Sequence, residues 1–512
     1  MKIEEVFKID SPREMIEELK KGRSVEAPDV EQAEKALDPK KHDVYDYAIR
    51  PDEKVIVDDT PVESEDYLDD EGIKKSKERM EPVARIGLAL QKLIIARASA
   101  FVFGNPVKYN AEEVAENQKL IKAAFDKILH DAKSASLDRK IAKTIFGYRE
   151  CAELWYATPV TRTKTGSKLA NKVKDAINNF VGNYYHNNYG FKSGFKLKCA
   201  LFSPKDGDTL YPYFEDGDMI AFSREFLRKD ETGKEIRYFE TWTDTQHWLF
   251  TEDSAEWTVV EGYPKPVTIG KIPIVYGYQE EFETRDVDDL IARLEKLLSN
   301  FADTNDYHGS PTIVVKGRVR GFAKKGKAGK VLELMKGDNR DDVDPNAEYL
   351  AWQHAPESIK LEIETLLRMI YTLTQTPDIS FDSVKGIGAI SGIALKLLFM
   401  DAHLKAMEKQ EIFDPYLTRR ANIVKAFIGK FNVSLERECE EMSIDPEITP
   451  FVITSEIDDA NFWIAANGGK PIISQKESAE KAGLSSNSEA DYKQMQEEAS
   501  HSSYIDTFEP TV

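Results

Sequence analysis

GIGAISGIALKLLFMDAHLKAMEKQEIF, Gly386 to Phe413, opens with glycines like a phosphate-binding loop and then runs straight into helical periodicity. A phosphate cradle of the P-loop type needs G-x-x-x-x-G-K-[ST], in which backbone N–H groups hold phosphates, the lysine reaches the terminal phosphates and the hydroxyl holds magnesium. The chain has six Gly-Lys pairs, ending at Lys234, Lys271, Lys327, Lys330, Lys430 and Lys470, and none is followed by Ser or Thr. The dinucleotide motif G-x-G-x-x-G is nearly met by Gly386, Gly388 and Ser391, but it must follow a β-strand. The preceding TPDISFDSVK carries a proline and scattered polar residues instead of a buried-strand pattern. The stretch therefore reads as a mobile loop joined to a long helix.

Working outward, three apolar seams surround it. Val287, Leu290, Ile291, Leu294, Leu297, Leu298 and Phe301 fall on one helical face. Ile359, Ile363, Leu366, Ile370 and Leu373 follow the 4, 3, 4, 3 spacing of a narrow heptad-like seam, and Ile393, Leu397, Met400, Leu404 and Met407 repeat it. Such seams pack helix on helix at shallow angles. The third helix continues through EIFDPYLTRRANIVKAFIGKF, where Pro415 predicts a kink.

Between the first two seams lies an insertion, 307–354, with PTIVVK at Pro311 to Lys316 and KVLELM at Lys330 to Met335 as short strands. The segment joining them concentrates Lys316, Arg318, Arg320, Lys324, Lys325, Lys327 and Lys330. In a chain of formal net charge −20 a run this basic is either a solvated loop or a contact for an acidic partner.

Upstream, residues 1 to about 80 are rich in Asp, Glu, Lys and Pro and read as a solvated arm with little core of its own, ordered structure thickening from Arg85. Helices are predicted at Leu88–Phe103, stopped by Gly104–Pro106, then at Lys119–His130 and Leu137–Ala157. From Phe195 to Tyr278 short aromatic and β-branched runs separated by turn residues predict an antiparallel β region. After Asn432 come short helices, with Ser474 and Glu477 placed as a capping box, and a polar tail, SEADYKQMQEEASHSS, that reads as frayed.

At 512 residues the chain has room for several connected lobes. Cys151, Cys199 and Cys439 are too scattered for a disulfide framework or a zinc site, which makes a reducing cytoplasm the default compartment. The N-terminus lacks signal-peptide character, and the most apolar run, Leu93 to Phe103, is short and interrupted by Arg97. The eight histidines show no H-x-x-x-H spacing, no G-x-S-x-G elbow is present, and acidic pairs such as Asp288/Asp289 are ordinary on a solvated surface. No catalytic residue, metal site or cofactor is expected.

The order of these parts, with FVFGNPVKY (Phe101–Tyr109), GKIPIVYGYQEEFETRDVDDLIARLEKLLSNFADTND (Gly270–Asp306), AISGIALKLLFMDAHLKAMEKQ (Ala389–Gln410) and GGKPIISQKESAEKAG (Gly468–Gly483), resembles the portal proteins of tailed double-stranded DNA bacteriophages. The resemblance spans roughly 85–500 and implies an α+β, mainly helical fold that forms a ring, usually of twelve subunits, at one capsid vertex. Its parts would be the arm and wing at 1–281, a first stem helix at 286–306, the clip at 307–354 and a second stem helix at 355–376. A tunnel loop at 377–390, a long kinked helix at 391–431 and the crown with the tail at 432–512 would follow.

The resemblance also implies site residues and partners. Ser383, Val384, Lys385, Gly386, Ile387, Gly388 and Ala389 would face DNA, and the basic clip run would meet DNA or a partner. Leu290, Leu294, Leu297, Ile363, Leu366 and Ile370 would pack the stem. Partners would be double-stranded DNA, the terminase large subunit, a head–tail adaptor, and major capsid and scaffold proteins, with no membrane. The protein would be made in the host cytoplasm and carried in the virion. Two other readings stand beside it: a nucleotide-dependent enzyme using Gly386 and Gly388, opposed by the missing lysine-hydroxyl pair, and a cytoplasmic helical adaptor binding an acidic partner through Arg318, Arg320 and Lys324.

Overall fold

In the computed structural model the described residues are 11–23, 25–57, 77–159, 189–191, 193–229, 233–253, 256–308, 313–316, 318–321, 333–335, 346–349, 356–378, 399–451, 456–467, 474–482 and 488–506. The arm is not coreless. Pro12–Lys21 (α1) and Val30–Leu37 (α2) are helices, and α1 buries Met15, Ile16 and Leu19 against Ala221, Phe239, Trp248 and Phe250. The spacing of those three apolar residues makes one stripe, which a helix this short must cover to persist. Arg23 then ties the segment down by donating to Glu150 Oε2 at 2.8 Å. Composition hid this because the charged residues lie on the outer side of the same short helix. Asp58–Gly72, read as a solvated arm, lies outside the described residues.

Strands Glu53–Val57 (β1) and Lys77–Glu81 (β2) pair antiparallel. They are followed by the helix Leu90–Phe103 (α3), the strand Lys108–Asn110 (β3) and the helices Glu116–Asp131 (α4) and Ser134–Tyr148 (α5). The predicted helix through Ala157 is corrected here. α5 ends where Arg149 turns left-handed at φ 68°, and Glu150–Pro159 (β4) is a strand. The sequence signal failed because β4 is covered on both faces at its start, with Cys151, Ala152, Glu153 and Trp155 all buried, so polar and apolar residues do not alternate.

The predicted β region is antiparallel throughout its described residues. Phe195–Phe202 (β5) pairs with β4, and the strands Thr209–Glu215 (β6), Asp218–Lys229 (β7), Glu235–Trp242 (β8), Gln246–Asp253 (β9) and Glu256–Val259 (β10) form a meander. Lys265–Pro266 (β11) pairs with β9, and Ile274–Tyr278 (β12) pairs with β4. Helix Asp288–His308 (α6) leads to the short strands Ile313–Lys316 (β13), Arg318–Gly321 (β14), Glu333–Met335 (β15) and Asn346–Tyr349 (β16). β13 pairs with β16 and β14 with β15, so part of the basic segment read as a connecting loop is itself a strand.

Helix Pro356–Leu373 (α7) precedes the long helix Met400–Phe431 (α8), which continues through Pro415. The rest comprises Glu436–Glu441 (α9), Asp445–Glu447 (β17, paired with β3), Glu456–Asn467 (α10), Gln475–Ala482 (α11) and Ser488–Asp506 (α12). The tail read as frayed is thus helical over 19 residues. Ser474 Oγ accepts from Glu477 N at 3.1 Å at the start of α11.

The largest core wraps α8, with α3, α4, α5 and β4 contributing Val102, Phe125, Ile145 and Trp155 around Phe413, Leu417 and Val424. Arg420 sits wholly buried inside it. Its Nε and Nη2 donate to the two oxygens of Glu153 at 2.7 and 2.8 Å, and Nη1 donates to Asp138 at 2.5 Å. Trp155 Nε1 also donates to Glu153 at 2.9 Å. One guanidinium faces two carboxylates, and burial pushes the Asp138 carboxyl up despite Arg420 beside it. The same burial pushes the neighbouring Tyr109 phenol up to about 12. Where β12 crosses α8, Gly277 is required, because a Cβ there would stand 2.8 Å from the Tyr416 ring.

Candidate functional site

The helices α6 and α7 pack as a pair. Leu294, Leu297, Leu366 and Ile370 are buried in one cluster with Val287 and Ile291, while Leu290 and Ile363 form its half-buried rim. Ile94 of α3 enters the same cluster and joins the pair to the body of the chain. At the surface Arg293 donates to Glu362 at 3.0 and 2.6 Å across the two helices. The six residues anticipated as stem packing are thus brought together. The third seam behaves differently: Met400, Leu404 and Met407 are exposed, and α8 turns Ala402, Lys405 and Ala406 inward.

The other anticipated residues lie further out. Lys316 ends β13, and Arg318 and Arg320 belong to β14. Lys324, Lys325, Lys327 and Lys330 lie outside the described residues, as do Ser383, Val384, Lys385, Gly386, Ile387, Gly388 and Ala389. Both approaches to that glycine segment are described. At the end of α7 Thr374 Oγ1 donates to Ile370 O at 2.8 Å, and Gln375 takes a left-handed φ of 49°, which turns the chain out of the helix. Arg97 Nη1 donates to Pro377 O at 2.8 Å. On the far side Phe399 packs against Phe101, with ring centroids 5.8 Å apart.

Lys405 closes the arrangement. Its Nζ donates to Thr374 O at 2.8 Å and is ion-paired with Glu283, which also faces Lys409 Nζ at 2.9 Å. Burial and the neighbouring Lys409 hold the Lys405 ammonium below its usual range, against the opposing pull of Glu283. The two ends of 378–399 are therefore fixed to one buried charge cluster, with α3 as the common support. Sequence reading missed Arg97, Glu283 and Lys405. The available signal was a lysine flanked by Ala402 and Ala406, small residues on an inward face.

Beside the cluster an open groove of about 1010 Å³ is lipped by Glu280, Glu281, Asp286, Glu408 and Glu411. Among the described residues no group of three or more His, Cys, Asp or Glu is disposed to hold a metal ion. None of the described helices is long and apolar enough to cross a membrane.

The outer side of α6 carries a second device that sequence reading missed. Leu88 N donates to Glu295 Oε1 at 2.7 Å, Ile86 N to Ser299 Oγ at 3.0 Å and Ala84 N to Asp303 Oδ1 at 2.6 Å. Alternate residues of an extended segment thus find acceptors one helical turn apart. Arg50 reinforces this by donating to Asn300 Oδ1 at 2.7 Å, and to Asp303. His42 is buried at the Glu295 end. Its Nδ1 lies 2.6 Å from Glu295 Oε1 and its Nε2 lies 3.2 Å from Ala36 O. Both ring nitrogens face acceptors, so the ring satisfies both only as the imidazolium. Burial opposes that charge, but the Glu295 hydrogen bond and charge, the Ala36 carbonyl and Asp288 outweigh it and raise the pKa.

A family model described as phage portal protein, SPP1 Gp6-like, matches residues 16–503. No curated protein matches the chain. Among solved structures, a chain described as "Virion of native gene transfer agent (GTA) particle" is similar over 77% of this chain and 88% of its own length, at 9% identity and a TM-score of 0.33.

Proposed function

The chain belongs to the SPP1 Gp6-like family of phage portal proteins, and on that premise we propose that it assembles as a ring, of twelve subunits, at one vertex of a phage capsid. Double-stranded DNA is packaged and ejected through the centre. In this reading α6 and α7 are the stem, the strands β13 to β16 belong to the clip, and α8 is the long helix that leads from the wing toward a crown formed by 432–512. The segment 377–390 lines the channel, with Ser383 to Ala389 toward DNA.

The observation that carries the reading is the family match over 16–503, taken with the pinned base from which the channel segment leaves. Sliding DNA must be held loosely, since each phosphate neutralised by Lys or Arg adds counterion-release affinity. A chain of net charge −20, repeated around a ring, disfavours a tight grip and leaves Lys385 for weak contact. The clip run at Lys316, Arg318, Arg320, Lys324, Lys325, Lys327 and Lys330 docks the terminase large subunit or the head–tail adaptor, while the wing faces major capsid and scaffold proteins. The protein is made in the host cytoplasm and ends in the virion, acting as a structural part without catalysis or cofactor.

The test is negative-stain electron microscopy of the purified full chain, with top views classified by rotational symmetry. Closed rings with a central opening wide enough for duplex DNA are expected. Monomers or dimers alone, both for the isolated chain and after co-production with capsid and scaffold proteins, overturn the reading.

A further inference from the structure

Two helices leave a second apolar face uncovered after the fold has used their first. On α7, Leu361 and Met369 are 65% and 43% exposed, and on α8, Met400, Leu404 and Met407 are 51%, 48% and 61% exposed. Leu361 and Met369 stand eight residues apart on α7 and the three α8 residues four and three apart, so each set runs along one side of its helix. Each helix already buries a different face, Leu366 and Ile370 on α7 and Ala402 and Ala406 on α8. Covering a side chain of this size is worth about 1.5–3 kcal/mol, so a chain acting alone has reason to keep such stripes polar.

The two stripes differ in direction and in charge. Lys405 marks the side of α8 that faces the end of α7, through its hydrogen bond to Thr374 O. At about 100° per residue Met407 lies roughly 200° around the helix from Lys405, so the α8 stripe faces away from α7. Beside the α7 stripe Arg368 is exposed, and beside the α8 stripe so are Asp401 and Glu411. Among the described residues none of these three has an ion-pair partner. A patch that closes a ring by rotation must be heterologous: two unlike, complementary surfaces of one chain, turned in different directions.

We infer that the α7 stripe of one copy packs on the α8 stripe of the next, with Arg368 directed at Glu411 and Asp401. This rests on the ring reading above and specifies which faces meet in it. The occupant of each stripe is a second copy of this chain. The contact is apolar at its centre and charged at its edge, the usual anatomy of a specific interface.

Native mass spectrometry and sedimentation of the full chain, as wild type, Met369→Asp, Met407→Asp, Arg368→Glu and Arg368→Glu/Glu411→Arg, test it. Thermal unfolding of each dissociated subunit is recorded in parallel. Each single variant is expected to raise the concentration at which rings form by about tenfold or more, because like-charge contact or a buried carboxylate exceeds the ~1.4 kcal/mol that tenfold represents. Subunit melting is expected to be unchanged, and the double charge exchange to restore assembly. Unchanged rings in Met369→Asp and Met407→Asp overturn the assignment of faces while the ring reading stands. Met407→Asp that lowers subunit melting and leaves rings intact assigns the stripe to the chain's own 379–398 and overturns the inference. Failure of the exchange to rescue overturns the Arg368 pairing, and a wild type that forms no ring, either alone or after co-production with capsid and scaffold proteins, overturns the ring reading itself.

Discussion

The core around α8 and the α6–α7 pair solve the same problem in opposite ways. Around α8, helices and strands from five parts of the chain close over Arg420, and even a guanidinium and two carboxylates are buried together. The α6–α7 pair has a thin cluster between its helices, a segment held by its backbone N–H groups along one outer side and apolar side chains on α7 left open. The first region is enclosed within one chain, whereas the second leaves apolar surface exposed on α7. The difference lies in how fully each region covers its own apolar surface.

The largest effect expected lies in the closed region. Arg420→Met leaves Asp138 and Glu153 buried together without a cation, and removing one partner of a buried charge cluster costs about 3–5 kcal/mol. Calorimetry should show a large loss of melting temperature, and the triple variant Arg420→Met/Asp138→Asn/Glu153→Gln should recover part of it. If the single change proves mild, the two regions differ less than their packing says.

A middle effect belongs to the open region. Asp303→Ala removes the acceptor of Ala84 N and a partner of Arg50, and leaving a part-buried donor unpaired costs about 1–3 kcal/mol. Hydrogen exchange should then rise at residues 84–88 and along α6 while the amides of the Arg420 core keep their protection. Loosening of both regions together would merge them into one cooperative unit.

The smallest effect is pH-dependent. The His42 pKa is raised on folding above its ordinary 6.5, so the stability it contributes is fully present below about pH 6.5 and is lost as pH rises through the folded value. The margin of wild type over His42→Ala in thermal unfolding should therefore be widest at acidic pH and narrow as pH rises, by about 0.5–1.5 kcal/mol for one hydrogen bond. A margin that widens with pH would show that the ring is held neutral.

What the sequence made legible follows this division. The stripe of Val287, Ile291 and Leu294 and that of Leu366 and Ile370 announced helices because each pairs with a single partner surface and repeats at one period. Met400, Leu404 and Met407 announced a helix equally well, but a stripe in the sequence does not say which molecule covers it. β4 was misread because burial on both faces erases alternation, and the arm because eight or ten residues give too few turns for a pattern to stand above charge. The buried arginine was harder still. Arg420 follows Arg419 and looks like any basic pair, although Tyr416, Leu417, Ala421 and Val424 on the same side of α8 marked its position as internal. The contacts of Lys405 and of Glu295, Ser299 and Asp303 join residues tens to hundreds of positions apart, and local pattern carries no record of them.

The laying of residues 84–88 along α6 works as a vernier. Two extended residues advance about 6.6 Å and four helical residues about 6.0 Å, so the two scales slip by roughly 0.6 Å at each rung. Over the three rungs observed the slip is about 1.2 Å, near the limit that hydrogen-bond geometry tolerates. Such a scale can be neither lengthened nor moved over by one mark. A single residue inserted between Ala84 and Leu88 puts every later N–H on the wrong side, so the position of α6 along its axis is graduated against residues 84–88 and not merely attached to them.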